Sequence, residues 1–187
     1  MMKTREKVKQ NSYKIYEMCV YAMFAALMFA SKILMEALPN IHLIGMLVVL
    51  LTVTFRARAL IPIYLFVMIN GVWAGFSLWW IPYLYIWTVL WGMVMLLPRS
   101  MPRRVALVVY PLVTAMHGFL YGTLYAPAQA LMYGFDFEQT LVWIASGFGF
   151  DLIHGVSNLF TGSLVLPLSA LLRRLMKRSA RGYSAAR

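Results

Sequence analysis

The sequence predicts an all-α integral membrane bundle of six transmembrane helices with both termini cytoplasmic, and three observations carry that reading. Hydrophobic residues make up 62% of the chain and charged residues 12%, against roughly 25% charged in ordinary soluble domains, and the mean hydropathy is +0.73. The apolar residues fall into runs suited to crossing about 30 Å of hydrocarbon, separated by short charged or proline-bearing joints. The basic residues behind the net charge of +11 sit in those joints rather than along a nucleic-acid-binding face.

Their placement sets the expected orientation. Lys3, Arg5, Lys7, Lys9 and Lys14 precede the first run, Arg56 and Arg58 lie in the second joint, and Arg99, Arg103 and Arg104 lie in the fourth. Six more basic residues follow Leu172, and Lys32 alone falls elsewhere. With six spans these segments share one side, which the positive-inside rule assigns to the cytoplasm. The expected organisation is a basic N-terminus over 1–14, a membrane domain over 15–172 and a basic C-terminal tail over 173–187. Residues 1–14 read as a retained end, since no convincing small-residue cleavage site follows them. The single Cys19 excludes a disulfide framework and a thiolate metal cluster.

Span 1, residues 15–35, carries Ala22, Ala26 and Ala30 at four-residue spacing. Small residues in that register make a flat ridge on which another helix can dock closely in lipid. Lys32 and Glu36, four apart near the outer end, are placed to pair or to meet a ligand. Span 2, residues 43–55, is too short to cross as a straight helix. The polar segment before it, with Pro39, Asn40 and His42, is therefore expected to be a lid or a cavity wall.

Span 3, residues 59–78, holds Asn70. The outer joint after it places Trp79, Trp80 and Tyr83 around Pro82, where aromatic rings serve either as interfacial anchors or as a stacking surface for a ligand. Span 4 covers residues 84–97 and stops at a proline- and arginine-rich joint. Span 5, residues 105–125, carries His117, Tyr121 and Tyr125 along one helix face, with Gly118 and Gly122 beside them. A long joint over 126–140 leads to span 6, residues 141–172, where Asp151, His154 and Asn158 share a face. Asn70, His117, Asp151 and His154 fall at compatible depths, so they either ring a cavity in the outer half or form a polar packing cluster.

Several chemistries lack their motifs. There is no HExxH or comparable metal set, no Walker A sequence, no serine nucleophile with a partnered base and no arginine series for voltage sensing. No inverted repeat points to alternating access within the chain.

A six-span chain with both ends inside, the A-x-x-x-A ridge of Ala22, Ala26 and Ala30, and a polar outer segment after it resembles the substrate-binding S component of energy-coupling-factor transporters. The resemblance implies a vitamin or micronutrient binder of the bacterial inner membrane. It further implies a membrane coupling subunit and two ATPase subunits as partners, with ATP used by those partners and no cofactor or metal in this chain. The substrate would lie under the outer joints, and uptake would proceed by toppling of the whole binder. Asn40, His42, Asn70, Trp79, Trp80, Tyr83, His117, Tyr121, Tyr125, Asp151, His154 and Asn158 are the candidate substrate residues. Two other readings stay open: a six-span scaffold of a cell-shape complex, and a small intramembrane enzyme using Asp151 and His154.

Overall fold

The computed structural model describes residues 2–38 and 41–185, with side chains described over 14–38 and 41–179. Pro39 and Asn40 lie outside the described residues. Eight α-helices and no strand occur among the described residues: α1 (Met2–Leu34), α2 (Ile44–Phe55), α3 (Leu60–Ala74), α4 (Tyr83–Met95), α5 (Arg103–Phe119), α6 (Tyr121–Tyr133), α7 (Phe137–Gly162) and α8 (Val165–Ala185). Short 3-10 turns over Arg56–Ala59 and Leu78–Trp80 complete the connections. Four stretches are long and apolar enough to cross a membrane, or five if α7 and α8, bent by 46°, count as one span.

Helix α2 is the central rod. Every residue from Ile44 to Thr52 is buried, as expected of a helix that is apolar all round. It packs against α1, α4, α5, α7 and α8. Its one polar side chain in that stretch, Thr52, satisfies itself by donating to the Val48 carbonyl at 2.7 Å.

The apolar stretch Ile44–Ala74 reverses at Arg56. His42 lies against Trp87 and Arg56 against Met95, so residues 42–56 run in the same sense as α4. By contrast, Tyr64 donates to the Leu84 carbonyl and Trp80 to the Val67 carbonyl, which makes α3 antiparallel to α4. Arg56 takes φ of 56° at the reversal, a left-handed conformation unfavourable for a non-glycine residue. Its surroundings hold it there. The guanidinium donates to the Met95 carbonyl at the end of α4, and the Trp91 indole donates to the Arg56 carbonyl at 3.1 Å.

Two other arginines bond at the same end of the bundle. Arg58 pairs with Glu17 at 3.0 Å, and Arg173 donates to the Val53 carbonyl at 2.8 Å. This is the only ion pair among the described residues. Lys32 does not pair with Glu36: α1 ends at Leu34, so Glu36 sits in the following turn, out of helical register, and the Lys32 ammonium lies over the Trp79 ring at 5.8 Å.

Helix boundaries depart from the sequence expectation at three places. Helix α1 continues back to Met2 through the basic segment, whose Lys, Arg, Glu and Gln are good helix formers. Residues 126–133, expected in a joint, belong to α6, because Pro127 already has a helical φ and its alanine neighbours favour the helix. The long sixth span is two helices: α7 starts at an Asp136–Gln139 capping box and the chain bends after Gly162. Pro167 then falls in the first turn of α8, where a missing N–H costs nothing.

Helices α5 and α7 form a close antiparallel pair. A Cβ on Gly118 would come within 2.8 Å of the Gly155 Cα, and one on Gly162 within 2.7 Å of the Pro111 Cα. Backbone cannot move aside as a side chain can, so these positions require glycine for packing. Gly147 and Gly149, nearer the start of α7, face open space. Gly118→Ala should therefore lower stability by about 1–3 kcal/mol, the scale of overpacking, which is roughly 2–12 °C in Tm for a chain of this size. Gly147→Ala serves as control and should leave Tm unchanged or slightly raised, both read by thermal unfolding in detergent.

Candidate functional site

The end of the bundle opposite the arginines holds a cluster of aromatic and imidazole rings. It is built by two helix faces with matched four-residue spacing. Trp79, Tyr83 and Trp87 follow one another toward and along α4, and His117, Tyr121 and Tyr125 follow one another across α5 and α6 in the opposite direction. Their rings meet: Trp87 is 5.7 Å from His117 and 6.0 Å from Tyr121, and Tyr83 is 5.8 Å from Trp87. From α7, His154 reaches Tyr121 at 4.7 Å. From the connector between α1 and α2, His42 reaches His154 at 4.5 Å and Trp87 at 6.2 Å. His42, Trp87, His117, Tyr121 and His154 therefore close into a ring.

Hydrogen bonding in this ring is incomplete. His154 is 2% exposed, and neither of its ring nitrogens has a partner. His42 Nδ1, His117 Nδ1 and Trp87 Nε1 are likewise buried and unpaired. His117 uses only Nε2, at 3.1 Å from the Ile86 carbonyl. Buried polar atoms without partners within the protein cost roughly 1–3 kcal/mol each and are rare in native structures, so the group of them around one ring of side chains sets this end of the bundle apart from the rest of the interior.

The remaining candidates divide by what they touch. Asp151 is engaged: both carboxylate oxygens accept from the Gly122 N–H, at 2.9 and 3.1 Å. That amide is free because the helix breaks at Leu120, leaving Gly122 in the first turn of α6, where unpaired N–H groups and the helix dipole favour an anion. Asn158 donates to the Thr114 carbonyl across the α5–α7 pair at 3.2 Å, with its Oδ1 unpaired. Asn70 donates to Phe66 on its own helix, one ring removed from Trp87. Trp80 is pinned to α3.

Tyr125 and Trp79 close the end above the ring, with the Tyr125 hydroxyl donating to the Trp79 carbonyl at 2.8 Å. Trp143 stacks on Tyr125 at 6.1 Å and also lines a groove of about 440 Å³ with Phe135, Glu138 and Gln139. Asn40 lies outside the described residues. Trp87 and Trp143 complete the set and were not among the sequence candidates, although Trp87 continues the four-residue spacing of Trp79 and Tyr83. Among the described residues, no three His, Cys, Asp or Glu side chains are arranged to hold a metal ion.

The alanine ridge lies away from this site. Ala22, Ala26 and Ala30 are all exposed, while the opposite face of α1, with Tyr21, Phe24, Ala25 and Met28, is buried.

The chain matches no protein-family model, no curated protein and no solved structure.

Removing the Asp151 carboxylate tests its attachment to α6. Asp151→Ala leaves the Gly122 N–H without its acceptor and should destabilise the protein by about 1–3 kcal/mol. Asp151→Asn, which keeps an acceptor and loses the charge, should cost less. Thermal unfolding of the two variants beside wild type reads the difference.

Proposed function

We propose that this chain is the substrate-binding component of an energy-coupling-factor type transporter: a six-pass protein that holds a small micronutrient-like molecule and presents it to an ATP-driven coupling module. The observation that carries the proposal is the ring of His42, Trp87, His117, Tyr121 and His154, whose buried nitrogens lack partners. A bundle that needed these residues only for packing would gain by replacing them with apolar ones. A ligand that supplies hydrogen bonds reverses that balance.

Two further features support the reading. Counting Ile44–Ala74 as two passes, reversed at Arg56, turns the five apolar spans into six. The basic end formed by Arg56, Arg58 and Arg173 is then cytoplasmic by the positive-inside rule, both termini lie with it, and the histidine ring lies in the outer half of the bundle, in a bacterial inner membrane. The exposed ridge of Ala22, Ala26 and Ala30 supplies a face on which a helix of a coupling subunit can approach closely. The coupling subunit and two ATPase subunits are the partners, and ATP is consumed by them.

Ala26→Trp separates docking from folding. Because Ala26 is exposed, the substitution should leave Tm unchanged while abolishing ATP-dependent uptake by cells and recovery of the membrane coupling subunit and its ATPases with the tagged protein. Normal uptake by a correctly folded Ala26→Trp protein would remove the ridge from the proposal.

A further inference from the structure

At the opposite end of the molecule from the ring, helix α8 sorts its side chains by kind. Val165 and Ser169 are buried where α8 packs on α2 and α5, and Leu172 and Met176 continue that face half-buried. Leu171 and Leu175, four residues apart, are exposed and make an apolar ladder. Arg174 and Arg178, also four apart, make a basic ladder directly beside it, with Lys177 on the far side of the arginines; all three are exposed. Arg173 donates to the carbonyl of Val53, in the last turn of α2, so these ladders stand where the bundle ends.

The basic ladder has no counter-charge among the described residues. Helix α8 contains no acidic residue, and Glu17, the one acidic side chain described at this end, is taken by Arg58 at 3.0 Å. Like charges at three- and four-residue spacing repel one another on a helix. The helix dipole does not offset that repulsion, since it acts within the last turn and α8 runs on to Ala185. Topology does not require the arrangement either, because the positive-inside rule counts basic residues near a span and is indifferent to the helix face that carries them. An apolar face and a basic face side by side on one helix fit an anionic bilayer surface. Guanidinium groups bind phosphate through paired hydrogen bonds, and their long stems pack along neighbouring apolar side chains. We propose that this face of α8 is a docking surface for anionic phospholipid, with headgroup phosphates on Arg174, Lys177 and Arg178 and acyl chains along Leu171 and Leu175. A free phosphate would satisfy the basic ladder and leave the leucines uncovered. The proposal stands whether or not the ring at the other end binds a ligand.

The full-length protein in mild detergent is equilibrated with phosphatidylglycerol and phosphatidylcholine in equal amounts, and the lipids retained per chain are counted by native mass spectrometry. Wild type should keep phosphatidylglycerol in about fivefold excess or more, the scale of one basic residue acting at an anionic surface. Arg174→Gln/Lys177→Gln/Arg178→Gln should bring the two lipids to near parity. Its Tm should be unchanged, since the three positions are exposed and glutamine forms helix about as well as lysine and arginine. Arg99→Gln/Arg103→Gln/Arg104→Gln removes as many charges from the exposed joint between α4 and α5, at the same end, and should keep most of the excess. An excess that survives in the α8 variant, or that falls equally in both variants, overturns the assignment to α8. No excess in wild type overturns lipid as the occupant and leaves the face to an acidic protein partner.

Discussion

Helix α5 lies against α7 as closely as it does because Gly118, Gly155 and Gly162 carry no side chains at the crossing, and the polar interior is a consequence of that approach. In a bilayer, apolar side chains gain little by exchanging lipid for protein, so helices associate through close dispersion contacts between small residues and through hydrogen bonds between them. The same crossing lets Asn158 reach the Thr114 carbonyl and sets His154 beside Tyr121. It also puts the Asp151 carboxylate within reach of the Gly122 N–H, one of the backbone amides that the break at Leu120 sets free.

Two kinds of buried polar residue emerge from this packing. Thr52, Ser31, Thr114 and Asn158 each donate to a carbonyl of their own or a facing helix, and Asp151 accepts from α6. The first three satisfy themselves within their own helices, while Asn158 and Asp151 tie α7 to α5 and α6. His154, with neither nitrogen paired, and Trp87, with its N–H unpaired, do not. They are held by packing, Trp87 within the apolar core and both against neighbouring rings, and not by side-chain hydrogen bonds. Unsatisfied polarity concentrated at one place, in a fold otherwise locally consistent, is the ground on which the binding proposal stands.

Much of this was legible in the sequence. Apolar run lengths and the confinement of Arg and Lys to joints gave an all-helical membrane chain, and the spacing of Asp151, His154 and Asn158 put them on one buried face of α7. The spacing of His117, Tyr121 and Tyr125 likewise survives the break at Leu120. What was not legible depended on contacts distant in sequence. Pro127 reads as a joint residue, yet α6 runs through it. Glu36 is in register with Lys32 only if the helix continues, and it stops at Leu34. Asp151 and His154 look equivalent in a spacing argument, and only the freed Gly122 amide distinguishes an occupied carboxylate from an unoccupied imidazole. Trp87 is one aromatic residue among many until the reversal at Arg56 carries His42 to it.

Whether the unpaired imidazole is a binding group or a packing group is decided by its effect on the ligand-free protein. His154→Leu replaces it with an apolar side chain of similar volume. If the His154 nitrogens are unsatisfied until a ligand arrives, the substitution removes a penalty of roughly 1–3 kcal/mol. The Tm of the stripped, ligand-free protein should then be no lower than wild type, with ligand retention lost. A fall of several degrees in Tm, with ligand retention kept, would contradict the account and return His154 to the structural set.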